Sequence, residues 1–104
     1  MDSYPLGSDV PLQFRVKVRG QSAKISHTTG ELYRGDTFLR KFTTTHVGNR
    51  VVGVIDHRSF STVGDYTAKF NVFLTGMGKR EWAIDFKVTE SVLGKKRQLA
   101  GSNL

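Results

Sequence analysis

The stretch that decides the fold is Pro11-Leu12-Gln13-Phe14-Arg15-Val16-Lys17-Val18-Arg19, close to the start of the chain. Apolar residues alternate in it with polar and basic ones: Leu12, Phe14, Val16 and Val18 against Gln13, Arg15, Lys17 and Arg19. Successive side chains of a β-strand point to opposite faces, so this pattern predicts a strand with one apolar and one cationic face. The apolar face is typical of a sheet protein, and the cationic face indicates a polyanionic partner.

The chain has 104 residues, which is the size of one domain. Hydrophobic residues make up 38% of it, and seven Phe, three Tyr and one Trp provide large side chains for one core. Because there is no cysteine, disulfides and thiolate metal sites are excluded. No secretion signal is visible, nor an apolar run of the ~20 residues that a membrane helix needs. We therefore expect an intracellular protein, cytoplasmic or nuclear.

The clearest pairing that the sequence predicts is an antiparallel hairpin over residues 65–89. Its first half has apolar residues at every second position, namely Tyr66, Ala68, Phe70, Val72 and Leu74. Its second half repeats the pattern with Trp82, Ile84, Phe86 and Val88. The intervening Gly76-Met77-Gly78-Lys79 has the length and glycine content of a hairpin loop.

Two further stretches are typical of strands. Residues 36–47 are rich in β-formers, but their apolar positions change parity, which predicts a bulge or a bend. Residues 50–55 are almost continuously apolar, which predicts a central strand or one buried on both faces. Gly53 within that strand indicates a kink or a close approach of the backbone to a neighbour. Together these patterns predict an all-β fold, a single antiparallel β-sandwich or small β-barrel of about seven strands.

The domain organisation follows from where the periodicity starts and stops. Residues 1–10 contain Pro5 and Gly7 and have no period, so we expect a flexible or loosely docked arm. Residues 11–90 form the β domain. Residues 91–104 lose the period again and include the basic triplet Lys95, Lys96 and Arg97, so we expect a basic, flexible tail.

Catalysis is not expected from these residues. His27, His46 and His57 lie far apart and show no metal-ligand spacing, and no phosphate-binding loop or nucleophile motif is present. Asp36, Asp56 and Asp65 sit beside glycine or histidine at turns, where aspartate usually bonds the local backbone. We expect no enzyme activity, no cofactor and no bound metal.

The charge favours a nucleic-acid partner. The net charge is +7 and the isoelectric point is near 10.1, the range of nucleic-acid-binding domains. Cations on a sheet face would contact phosphates, and an aromatic ring beside them would stack on the bases of a single strand. Phe73 is predicted to point outward beside Lys69, which makes it the candidate for stacking. The predicted contact residues are Arg15, Lys17, Arg19, Lys24, Lys69, Phe73, Lys95, Lys96 and Arg97.

Two other functions fit the same observations. A self-assembling structural or interaction protein, such as those of viruses and phages, would use Phe73 and the regular strands in a homo-oligomer interface. The basic charge would also suit the surface of an anionic membrane, although the sequence shows no amphipathic anchor. The charge could also serve solubility alone, since small domains commonly carry a net charge of about this size.

Overall fold

The structure is a computed structural model, and it describes residues 1–91. Within that range the chain is almost entirely β-strand, which confirms the all-β prediction. One 3-10 turn, His57–Ser59, separates the eighth and ninth strands. The strands are β1 (Asp2–Pro5), β2 (Val10–Arg15), β3 (Lys17–Val18), β4 (Gln21–Ser22), β5 (Ile25–Arg34), β6 (Thr37–Phe42), β7 (Thr44–Val47), β8 (Arg50–Ile55), β9 (Gly64–Leu74) and β10 (Gly78–Thr89).

The largest sheet has five strands in the order β1-β10-β9-β5-β6. The predicted hairpin is its centre: β9 and β10 pair antiparallel, with Phe70 opposite Trp82. All five apolar residues predicted on the inner face of β9 are buried, because their period of two matches the pleat of the strand. Strand β5 pairs with β9 on the other side.

A smaller sheet of three strands, β2-β8-β7, packs against the first. Strand β8 is central in it, as predicted, although Val54 on its outer face is half exposed. The predicted bend lies at Thr43: β6 belongs to the five-stranded sheet and β7 to the three-stranded one. The change of parity in the sequence therefore marks the point where the chain crosses between sheets.

The core lies between the two sheets. Phe14 of β2 packs edge-on against Phe70 of β9, with 5.0 Å between ring centroids, and stacks on Trp82 of β10 at 5.6 Å. Within residues 1–91 no buried side-chain nitrogen or oxygen lacks a hydrogen-bond partner. The apolar face predicted for residues 11–19 thus faces the larger sheet.

Two details of the predicted architecture are corrected. The strand over 11–19 is interrupted at Val16, whose N–H donates to the carbonyl of Asn49 at 2.7 Å, so β2 and β3 are separate strands. Burial still alternates through the interruption, because Val16 remains directed into the core. This interruption, the one at Thr43 and the N-terminal strand β1 explain why ten strands are present where about seven were predicted. Gly30 lies inside β5, close to the ring of Phe42.

The N-terminal residues differ most from expectation. Instead of a free arm, Asp2–Pro5 forms a strand that pairs parallel with β10, so the large sheet is not wholly antiparallel. Tyr4 packs edge-on against Phe86 at 5.9 Å. This segment is docked by backbone pairing at the sheet edge and by one aromatic contact. Neither requires an apolar period in the sequence, so the sequence pattern does not predict them. The predicted tail, apart from Ser91, lies outside the described residues.

Candidate nucleic-acid interface

Arg15 and Arg50 lie directly opposite each other on β2 and β8. Both are exposed, and with Gln13 and Phe14 they line an open pocket. Like charges in directly opposite positions destabilise a sheet, because nothing between them offsets the repulsion. A bound anion between the two guanidinium groups would remove that cost.

The β3–β4 hairpin continues the cationic surface beyond β2. Lys17 is paired with Ser22, and Arg19 occupies the tip of a two-residue turn. Arg19 and Gly20 have φ angles of 54° and 78°, which is the conformation of tight hairpin turns. The side chain of Asn49 holds the hairpin in place by donating to the carbonyl of Val16 and to the hydroxyl of Ser22, each at 3.2 Å.

The β9–β10 turn brings cations from the other sheet to the same end of the molecule. The N–H of Thr75 donates to the carbonyl of Lys24 at 3.0 Å, which fixes this turn beside the start of β5. Met77 of the turn and Arg19 line one open groove. Lys79 and Arg80, the next basic residues, are exposed at the start of β10.

We call this surface the basic end. It contains seven exposed cations: Arg15, Lys17, Arg19, Lys24, Arg50, Lys79 and Arg80. In the part of the chain that the structure describes, none of them lies within 4.0 Å of a carboxylate oxygen. Unpaired cations on a common surface attract phosphates more strongly than cations that carboxylates already neutralise.

Phe73 lies beside the basic end, on the outer face of the large sheet as predicted. Its ring stacks on the ring of His27, with 4.0 Å between centroids and 10° between planes. His27 faces Phe73 in the β5–β9 register, and Lys79 faces it in the β9–β10 register. The result is a two-ring stack with an exposed histidine and a cation next to it. Flat rings beside cations are what single-strand binders use to hold bases.

Lys69 is not part of the basic end. It lies in the middle of the large sheet, 4.0 Å from a carboxylate oxygen of Glu81 and 4.4 Å from the ring centre of Tyr33. Its neighbour Asn71 donates to Glu31 on the adjacent strand. Because Glu81 compensates its charge, Lys69 attracts a phosphate more weakly than the cations of the basic end do.

The structure therefore brings together Arg15, Lys17, Arg19 and Lys24 with Phe73 nearby, and leaves Lys69 apart. Lys95, Lys96 and Arg97 lie outside the described residues. The contributions of Arg50 and His27 were missed, because they depend on pairing between distant segments. The sequence shows the positive charge of Lys79 and Arg80, but it does not place them beside the other cations. One signal was available in the sequence: residues 10–30 contain four Lys or Arg and no Asp or Glu.

The opposite end of the molecule carries a different cluster. Asp9 accepts hydrogen bonds from the backbone N–H of His57 at 2.8 Å and from its Nδ1 at 2.9 Å. These bonds hold the pKa of Asp9 below its usual value. Asp56 accepts from the side chain and backbone of Arg58, which lowers the pKa of Asp56 strongly and raises that of Arg58. Asp56 thus bonds the local backbone, as predicted.

Asp9, Asp56 and His57 offer ligand atoms that all lie within 4.8 Å of one another. A cation there would compete with Arg58, whose Nε and Nη2 already bond the two oxygens of Asp56 at 2.9 and 3.1 Å. The cluster is therefore a set of ion pairs and hydrogen bonds that holds the loop at residues 56–58 against Asp9. Sequence analysis missed the approach of Asp9, because Asp9 and His57 are 48 positions apart.

Comparisons with known proteins give no relative: no family model, curated protein or solved structure matches the chain. Among residues 1–91, no helix has the length and apolar character needed to cross a membrane.

Proposed function

We propose that the protein binds single-stranded nucleic acid through the basic end. The observation that carries this proposal is the group of seven exposed cations without a carboxylate partner in residues 1–91. The opposed pair Arg15 and Arg50 provides a position for one phosphate, and the β3–β4 hairpin and the start of β10 extend the surface on either side. The phosphate backbone supplies most of the affinity in this mode of binding.

The preference for single strands rests on the rings beside the cations. His27 and Phe73 form a preassembled stack, so an unpaired base that joins it extends an existing ring pair. Bases within a duplex are already stacked on their neighbours and would not reach it. Stacking on an aromatic residue contributes roughly 1–3 kcal/mol per base and depends little on the base.

Fluorescence anisotropy with labelled oligonucleotides, single-stranded and duplex, across a salt series tests the proposal. The logarithm of the binding constant should fall linearly with the logarithm of salt, with a slope of about −0.7 for each phosphate contacted by a single strand. The double variant Arg15→Glu with Lys17→Glu should lose at least about one unit of that slope and most of the affinity. Retained affinity in a folded double variant would overturn the proposal.

A matched control makes the test specific. Arg40→Glu with Lys41→Glu produces the same change in net charge on β6, where both residues are exposed and away from the basic end. Binding should survive in this control. A finer comparison sets Arg80→Ala, which should lower the slope, against Lys69→Ala, which should leave it unchanged because Glu81 compensates Lys69.

A further inference from the structure

We infer that the chain associates head to tail, with the basic end of one copy docked on the opposite, acidic end of the next. This inference goes beyond nucleic-acid binding, because it assigns a partner to the acidic end, which the proposed function does not use. It rests on the distribution of charge along the sandwich and on the apolar side chains that both ends expose.

The charges are separated along the strands. The row formed by Lys41, Glu31, Lys69 and Ala83 across β6, β5, β9 and β10 divides the molecule into two halves. The half that contains the basic end has its seven cations and one acid, Glu81. Counted over residues 1–91, the other half has seven acids against four cations: Asp2, Asp9, Asp36, Asp56, Asp65, Asp85 and Glu90 against Arg34, Arg40, Arg58 and Lys87.

The two halves do not cancel each other at physiological salt. Strand β9 has 11 residues, which corresponds to about 36 Å at about 3.3 Å per residue. Screening acts over about 8 Å, so a charge at one end has little effect at the other. Two copies therefore attract through their nearest ends, although each carries a net positive charge.

Several carboxylates of the acidic end are available to a partner. Asp36 lies in the turn between β5 and β6, and Asp65 is the second residue of β9. Both are exposed, and within the described part of the chain neither lies within 4.0 Å of a cationic nitrogen. Asp9 and Asp56, by contrast, are occupied by His57 and Arg58.

Both ends also expose apolar side chains, and docking would remove these side chains from contact with water. Phe38, Leu39 and Val63 are 47%, 40% and 46% exposed at the acidic end. Met77 and Val47 are 46% and 77% exposed at the basic end. An apolar centre surrounded by complementary charge is the usual composition of a protein interface. Because the two surfaces differ, the contact is heterologous and extends into an open chain or closes into a ring.

Sedimentation velocity on the full chain tests this inference. The wild type should form oligomers at about 50 mM salt and dissociate at about 500 mM, where screening shortens to a few Å. Asp36→Lys with Asp65→Lys should be monomeric, because its acidic end no longer attracts the basic end. Its basic end is intact, so it should still bind the oligonucleotides. This separates failure of assembly from failure of the proposed function.

Mixing variants gives the sharpest result. Arg15→Glu with Lys17→Glu weakens the basic end and should also be monomeric. The control Arg40→Glu with Lys41→Glu leaves the basic end intact and makes the acidic half more negative, so it should assemble at least as strongly as the wild type. An equimolar mixture of the two monomeric variants should form 1:1 heterodimers, because each retains the end that the other has lost. These heterodimers should not extend.

Three outcomes overturn the inference. The wild type could be monomeric at low salt, either of the two variants expected to be monomeric could oligomerise as the wild type does, or the mixture of those two variants could remain monomeric. Circular dichroism and thermal unfolding of each variant establish that it is folded before it is compared.

Discussion

The ring of Phe42 lies so close to the backbone of Gly53 that a Cβ at position 53 would be 2.8 Å from its Cε2 atom. That Cβ would also be 2.9 Å from Cε2 of Phe70. Gly30 approaches the same ring from the other sheet, and a Cβ there would be 2.5 Å from Phe42 Cε2. The ring of Phe42, which is the last residue of β6, is thus held between two glycines where the chain crosses from one sheet to the other.

Gly53→Ala and Gly30→Ala should each destabilise the fold. Adding a methyl group against a buried ring forces side chains from their preferred positions, at a cost of about 1–3 kcal/mol in the free energy of unfolding. Urea denaturation of the two variants measures that cost. A change of less than about 0.5 kcal/mol in either variant would contradict this close packing around Phe42.

In a Phe42→Ala background, the same two substitutions should differ in their cost to the free energy of unfolding. The three atoms nearest to the added Cβ at Gly30 all belong to the ring of Phe42, so Gly30→Ala should lose most of its cost once that ring is gone. The added Cβ at Gly53 also meets Phe70, so Gly53→Ala should remain costly. If Gly30→Ala costs the same in the wild type and in the Phe42→Ala variant, a contact other than the one with Phe42 causes the destabilisation.

Local periodicity explains which parts of the fold the sequence predicts. The β9–β10 hairpin is predictable because its inner face is apolar at every second residue and its loop is short. The role of Gly53 is predictable because a glycine inside an apolar strand usually marks a kink or a close backbone contact. The pairing of β5 with β9, in contrast, joins Ile25 to Leu74, and no local pattern encodes a contact over that separation.

The candidate site is predictable to the same extent. The cations from Arg15 to Lys24 belong to one continuous acid-free stretch, so sequence alone finds them. Arg50 joins them only through the β2–β8 register. Glu81 could have been placed near Lys69 from the predicted hairpin, since it is the diagonal neighbour of Lys69 across the two strands.

Arg50→Gln should stabilise the folded protein while it weakens oligonucleotide binding. The substitution removes the like-charge pair with Arg15, which should raise the free energy of unfolding by up to about 1 kcal/mol at low salt. The gain should disappear at high salt, where screening already suppresses the repulsion. Thermal unfolding and anisotropy on the same preparations measure both effects. A variant that is less stable and binds as tightly as the wild type would remove Arg50 from the interface.

Phe73→Leu should reduce affinity for single strands without changing the salt dependence. Leucine keeps much of the apolar contact of a half-buried position but offers no flat face to a base. The loss should be about fivefold to a hundredfold for single strands, in line with one stacked base, and absent for duplexes. Phe38→Leu, which changes an exposed ring at the other end, is the matched control and should bind normally. An equal loss in both variants, or a changed salt slope, would exclude stacking at Phe73.

Asp9→Asn should lower stability at pH 5, and this loss should become smaller as the pH falls below the ordinary aspartate pKa. The hydrogen bonds from the His57 side chain and backbone lower the pKa of Asp9 in the folded state. The unfolded chain has the ordinary aspartate pKa of about 3.9, so folding favours the ionised carboxylate. Its contribution is complete above that pKa and is lost as the pH falls through the lower folded value. The free energies of unfolding of wild type and variant, measured with denaturant, should therefore converge as the pH falls.

Asp36→Asn changes an exposed aspartate in a turn and serves as the comparison. It should show a smaller difference from the wild type at every pH. A difference for Asp9→Asn that stays constant down to pH 2 would mean that the side chain acts through its shape and not through its charge.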